Sequence, residues 1–216
     1  MKIFRDRSDA GRQLGEQLRR QPLKGRPIVL GLPRGGVPVA HEVAAALGAP
    51  LDVLIVRKIG APGHEELGIG AVVDGDPPQL VVNERIADMV GASRAYIERQ
   101  KARQLAEIAR RKRAYRGDRP DPRVAGRTVI VVDDGIATGG TVKAALSALR
   151  AMKPARLVLA VPVAPADSLA ELEPECDEIV CLVRPDFFVA IGGYYDDFTQ
   201  IEDAEVIRLL AGAREP

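Results

Sequence analysis

The 216-residue chain has no apolar run near the roughly 20 residues that a bilayer-crossing helix needs. No membrane span is expected. Its N-terminal stretch, "MKIFRDRSDAGRQLGEQLRRQ", lacks the uninterrupted apolar segment and small-residue cleavage site of a secretory signal, so the expected location is the cytoplasm. Cysteine is scarce. Cys176 and Cys181, in "CDEIVC", are too widely spaced for a redox CxxC pair and have no histidine cluster to complete a zinc site; they read as buried thiols flanking a strand. Net charge is nearly absent at +1, so the composition gives no general pull toward nucleic acid. Internal repeats, low-complexity tracts, a Gly-Lys-[Ser/Thr] phosphate loop and a GxGxxG turn are all missing, which removes the Walker and dinucleotide-binding signatures.

What remains is ordinary globular material: 46% hydrophobic and 28% charged residues, in a length that suits one domain spanning residues 1–216. Strand-like runs of Val, Ile and Leu alternate with Ala-rich helical segments. That alternation predicts an α/β fold, an open parallel sheet with helices on both faces. A helix from about Ser8 precedes "PIVLGL", the helix "VPVAHEVAAALG" and "LDVLIVRK"; "GAVVD" and "QLVVN" are short enough for a hairpin or an edge extension. Helical spacing then runs from Glu84 to Tyr115 with a break near Gly91, followed by the loop "RGDRPDPRVAGR". The pattern resumes with "TVIVVDD", "TVKAALSALRAM", "RLVLAVPV", a helix near Asp167–Leu172, and "EIVCLV". The segment 183–216 gathers most of the aromatic residues in a loop before a last helix.

"VVDDGIATGGT" places two carboxylates, Asp133 and Asp134, where a strand ends, which is where open α/β sheets bind ligands. The loop that follows offers bare backbone N–H groups, two Thr hydroxyls and the positive end of a helix. Two acids beside an anion cradle would repel the anion unless they have cationic or hydroxyl partners. A ribose 5-phosphate satisfies both halves, with its phosphate in the Gly/Thr loop and its 2′ and 3′ hydroxyls donating to Asp133 and Asp134. The plainer alternative is a tight turn carrying two solvent-facing acids.

Three further loops carry candidate chemistry. In "GLPRGGVPVA", Gly35 and Gly36 let backbone approach an anion and Arg34 offers a bidentate fork, or the segment is a plain strand-to-helix turn with a surface Arg. In "VRKIGAPGHEELGIGAV", Arg57 and Lys58 end a strand, and the glycines beyond them predict a segment built to move, with His64 an exposed loop residue. His41, on a helix, reads as structural. In "RPDFFVAIGGYYDDF", the aromatic side chains either cap the sheet edge or form a binding hood.

"VIVVDDGIATGGT" resembles the 5-phosphoribosyl-1-pyrophosphate (PRPP) signature of the type I phosphoribosyltransferases. The resemblance covers Pro27–Gly70 and Arg127–Phe198. It implies that Asp133 and Asp134 hold the ribose hydroxyls and that Ala137, Thr138, Gly139, Gly140 and Thr141 surround the 5′-phosphate. It further implies that Gly35 and Arg34 face pyrophosphate, with a cis peptide at Pro33–Arg34. A mobile loop would close over the substrate, and Arg57 and Lys58 would meet the leaving pyrophosphate. The last loop is similar to the hood of hypoxanthine-guanine phosphoribosyltransferases, which implies base contacts from Phe188 and Val189. It also implies a water-mediated contact to Mg²⁺ from Asp197, with Asp196 as alternate. A homodimer, PRPP, a nucleobase-like acceptor and Mg²⁺ are the partners and cofactor so implied.

Residues 75–126 have no counterpart in that resemblance. Their main feature is the basic stretch Ser93–Gly117, which reads as a lid or dimer arm, as a nucleic-acid surface dependent on Arg110–Arg116, or as a site for an anionic group on the acceptor. Two functions follow: a Mg²⁺-dependent transferase moving the phosphoribosyl group from PRPP to an acceptor, or a PRPP-sensing regulator that binds nucleic acid.

Overall fold

A computed structural model describes residues 3–23 and 25–213; the expected domain bounds at 1 and 216 lie outside the described residues. Five strands form a parallel sheet in the order β2-β1-β6-β7-β8: β1 Pro27–Gly31, β2 Leu51–Val53, β6 Thr128–Val132, β7 Arg156–Val163 and β8 Glu178–Val183. Successive side chains on these strands point to opposite faces, and both faces are apolar because both are covered. Val29, Ile130 and Val158 pack with α1 (Arg7–Arg19), α2 (Gly36–Leu47) and α7 (Asp203–Ala211). Ile28, Val129, Val131 and Leu159 face the other way, toward α5 (Gly140–Ala151) and α6 (Ala166–Leu172). The α/β architecture predicted from the alternation is the one observed.

A second, antiparallel sheet comprises β3 (Val56–Ala61), β4 (His64–Val73) and β5 (Gln79–Val82). "LDVLIVRK" is therefore two strands in two sheets rather than one. The ladder with β1 ends at Gly31↔Val53, where β1 itself ends, so the chain beyond has no partner there and turns into the smaller sheet. The segment expected to be a mobile loop is the β3–β4 hairpin, turning at Gly63 with φ 76°. Its outer half, His64–Gly68, is exposed.

α1 begins at Arg7, one residue before the expected start near Ser8, and is capped by Asp6. The Asp6 side chain accepts from the Asp9 amide at 2.7 Å, and Ser8 lies inside the helix. The helical stretch after β5 breaks as predicted around Gly91, into α3 (Glu84–Met89) and α4 (Arg94–Arg116). Asn83 and Ser93 cap them, each side chain accepting an amide of its first turn.

α4 is tied to the sheet at its C-terminal end. Arg116 is buried, and its guanidinium pairs with Asp52 and Asp74, also buried, and with half-buried Asp121, at 2.7, 2.8 and 2.7 Å. It also donates to the Val53 carbonyl. Arg116 is thus withdrawn from the basic surface predicted over Arg110–Arg116. Removing one partner from such a network leaves buried charge uncompensated, a loss of about 3–5 kcal/mol. Cys176 and Cys181 are free thiols on either side of β8's start, and burial pushes the Cys176 thiol up to about 11.

Candidate functional site

The acid pair sits where β6 ends, in a cleft of about 470 Å³ that Arg34, Asp133, Asp134 and Thr141 line together. The β1–α2 loop forms the facing wall. Its Pro33–Arg34 peptide is cis, and Gly36 closes the turn by donating to the Leu32 carbonyl at 3.0 Å. Gly35 is required by close approach: a Cβ there would lie 2.1 Å from Asp134 Oδ2. The Arg34 guanidinium is paired with Glu202 at 3.4 Å and lies 3.9 Å from Asp203 at the start of α7.

Asp134 has a partner that no local pattern announces. Arg7, from the first turn of α1, donates through Nε to Asp134 Oδ2 at 2.7 Å and through Nη1 to the Thr199 carbonyl at 2.9 Å. Its guanidinium also lies 3.8 Å from the centroid of the Phe198 ring. The Tyr195 hydroxyl donates to the Asp134 carbonyl at 2.6 Å. Asp133 forms no ion pair among the described residues and instead accepts the Asp134 amide at 2.9 Å. Burial pushes both carboxyls up. Asp133 is pushed further because the neighbouring Asp134 charge adds to burial, while Arg7 acts in the opposite direction on Asp134. The one signal in the sequence was the pair itself, since adjacent acids at a strand end, one of them buried, demand a cation from somewhere.

The loop after the pair leads into α5. Gly139 takes φ 71° and gives no side-chain cap, so the first amides of α5 remain open to an anion. The Ser168 hydroxyl donates to the Ala137 carbonyl at 2.6 Å and fixes the loop from α6. Thr141 faces the acid pair, whereas Thr138, Gly139 and Gly140 line a second cleft of about 630 Å³ shared with Lys58 and Lys143.

Arg57 and Lys58, expected at one ligand, point to opposite faces of β3, as adjacent strand residues must. Arg57 Nε donates to Gln104 Oε1 of α4 at 3.2 Å, and burial together with nearby Arg111 draws its guanidinium below the usual range. Exposed Lys58 stands across the second cleft from the phosphate-type loop. Neither residue lines the cleft that holds Arg34.

The hood is arranged differently from the expected one. Phe188 stacks on Tyr194 at 5.8 Å, and the Tyr194 hydroxyl donates to the Phe187 carbonyl, which closes residues 187–194 on themselves. Val189 is 95% exposed. Ile191, Phe198 and Gln200 line the Asp133 cleft instead. Asp197 accepts from the Thr199 amide and hydroxyl, and it borders a separate small cleft that shares Arg7 and Gln200 with the first. The amides of Asp196 and Asp197 both donate to the N-terminal segment, to Phe4 and Arg5 carbonyls. No cluster of three or more metal-type side chains occurs among the described residues.

Comparison with known proteins identifies the family and the fold. The chain is 45% identical to TT1426 of Thermus thermophilus, whose crystal structure superposes with a TM-score of 0.84 over 97% of this chain and 98% of that one. It is 46% identical over 211 residues to Rv0571c of Mycobacterium tuberculosis, a protein named provisionally as a phosphoribosyl transferase. Those residues are 97% of this chain and 47% of that protein, so the chain spans about half the length of the curated relatives it matches first. The Bifunctional protein PyrR of Chloroflexus aurantiacus is 33% identical over 131 residues, 59% of this chain and 65% of that protein. The profile described as Phosphoribosyl transferase domain matches residues 5–199, and on that extent of match the chain belongs to the phosphoribosyl transferase domain family.

Proposed function

We propose that the protein transfers the 5-phosphoribosyl group of PRPP to a nucleobase-like acceptor and releases pyrophosphate. The observation that carries this reading is one cleft bounded by the acid pair, the start of α5 and Arg34. An anionic 5′-phosphate suits the open amides of α5 and the Thr141 hydroxyl, at the border between this cleft and the one that Thr138 lines. Asp133, the acid without a cation, is the acceptor for the ribose hydroxyls. Asp134 is the acid that Arg7 fixes, and it supports the floor beneath Gly35.

Displacement breaks the bond from C1′ to the pyrophosphate oxygen, the electron pair leaving with pyrophosphate, and forms a bond from C1′ to an acceptor nitrogen, whose N–H proton is released to solvent or to the departing pyrophosphate. Positive charge develops on the sugar between the two events, and the ionised Asp133 carboxylate lowers its energy. Arg34 binds the departing pyrophosphate bidentately after exchanging its contact with Glu202. Ile191, Phe198 and Ile201 supply the apolar part of the cleft wall and reduce access of water to the cation. Mg²⁺ suits this donor set as an ion held mainly by PRPP oxygens, since that ion is commonly bound through one or two carboxylates plus substrate phosphates, and Asp133 is the carboxylate available. When bound, it would offset charge on the leaving group.

A pyrophosphate-release assay with PRPP, Mg²⁺ and a panel of free bases tests the reading. Release stimulated by a base and lost in Arg34→Ala supports a transferase. Saturable PRPP binding with no release from any base favours the second reading, a PRPP-sensing regulator that binds nucleic acid. The observation behind that alternative is an exposed face of α4 carrying Arg99, Arg103 and Arg113, which form no ion pair among the described residues.

A further inference from the structure

A cleft of about 920 Å³ lies at the other end of the sheet, where β1, β2 and β6 begin. A five-residue strand at about 3.3 Å per residue separates it from the acid pair by about 16 Å. Four guanidinium groups line it: Arg26, Arg119, Arg123 and Arg127. Two carboxylates also reach it, Asp52 and Asp121.

Those carboxylates are already engaged. Asp52 is bound by Arg116, and Asp121 by Arg116 and Lys112. With Asp74 included, that network holds two cations and three carboxylates, which leaves a single negative charge against the four lining arginines. None of the four forms an ion pair among the described residues. Arg119 donates to the Arg116 and Tyr115 carbonyls, and Arg127 to the Arg26 and Pro27 carbonyls. Both are thereby oriented without being neutralised. Burial, and then the like charge of Arg26, draws the Arg127 guanidinium below its usual range. Guanidiniums without an ion-pair partner lining one concavity are stabilised by an anion that offers several oxygens, and Arg matches phosphate bidentately. The volume exceeds what one phosphate fills.

We propose that this cleft binds a small polyphosphorylated molecule, through Arg26, Arg119, Arg123 and Arg127, at a site separate from the transferase cleft. The site stands on its own charge balance and does not depend on the transferase reading. Arg26 and Arg123 are exposed, so replacing both leaves the core intact.

Isothermal titration with inorganic triphosphate tests the proposal on the full chain, with inorganic phosphate as the single-group comparison. Wild type is expected to bind triphosphate at a site retained in Arg34→Ala, with inorganic phosphate at least ten-fold weaker there. In Arg26→Ala/Arg123→Ala, affinity for that site falls at least ten-fold while the melting temperature is unchanged. Triphosphate binding that vanishes entirely in Arg34→Ala, or that is unaltered in the double variant, overturns the proposal. Equal affinity for phosphate and triphosphate overturns the assignment to a polyphosphate. Loss of activity in Arg34→Ala bears on the transferase reading alone, so the two failures are distinguishable.

Discussion

Arg7 and Asp134 meet at 2.7 Å although 127 positions separate them in the chain. The contact joins the first turn of α1 to the end of β6 and decides how the two adjacent acids differ. Asp134 is bound to a protein cation, and Asp133 forms no ion pair among the described residues.

Arg7→Met is expected to destabilise the fold by about 3 kcal/mol, because it strands a buried carboxylate rather than merely deleting a contact. Arg7→Met combined with Asp134→Asn should cost clearly less than the two single changes added. Urea unfolding of the four proteins measures this. Additive losses would show that the pair is not coupled.

Asp133→Asn is expected to stabilise the unliganded protein at neutral pH while abolishing ribose 5-phosphate binding. Its folded carboxyl is raised, by burial first and then by Asp134, so the protonated form is favoured on folding. Stability from this group is complete below the unfolded value near 4 and is lost as pH rises through the raised folded value. At pH 7 the variant should gain on the order of 1 kcal/mol, a rise of about 2–4 °C in melting temperature, and near pH 4 the gain should disappear. A melting temperature below wild type at pH 7 would sink the idea.

Arg34 is held by Glu202 at 3.4 Å, and pyrophosphate must compete for it. Glu202→Gln is expected to tighten pyrophosphate binding about two- to five-fold, the range of an exposed ion pair. Arg34→Ala should reduce turnover on the order of 100-fold with ribose 5-phosphate affinity nearly unchanged. Equal losses in both quantities would remove Arg34 from the pyrophosphate role.

Arg116→Met leaves Asp52 and Asp74 buried and mutually repelling. A loss of at least 3 kcal/mol is expected in denaturant unfolding, with amides of α4 losing hydrogen-exchange protection before those of β6. A loss under 1 kcal/mol would mean that packing, rather than this network, keeps α4 in place.

Much of the fold could be read from local pattern. β1, β6 and β7 are apolar on both faces because both are covered, and such strands announce themselves as continuous Val, Ile and Leu runs. The break between α3 and α4 followed from Gly91, and the cis peptide at Pro33–Arg34 from resemblance. The β2–β3 division was not legible, since it depends on where β1 stops, which "LDVLIVRK" does not contain. The hood escaped for a similar reason. Phe188, Tyr194 and Phe198 are all plausible ring donors in sequence, and only their mutual packing selects Phe198 for the cleft.

The sequence alone determined the alternation of strands and helices, the acids at the end of β6 and the uncapped start of α5, because each is set by residues within a few positions of one another. The tertiary structure decided which acid is neutralised, that Arg57 and Lys58 serve different faces, and that Arg116 is buried while Arg26 and Arg123 are not. Those outcomes depend on charges brought together from distant segments, where burial raises the strength of each interaction and geometry chooses the partner.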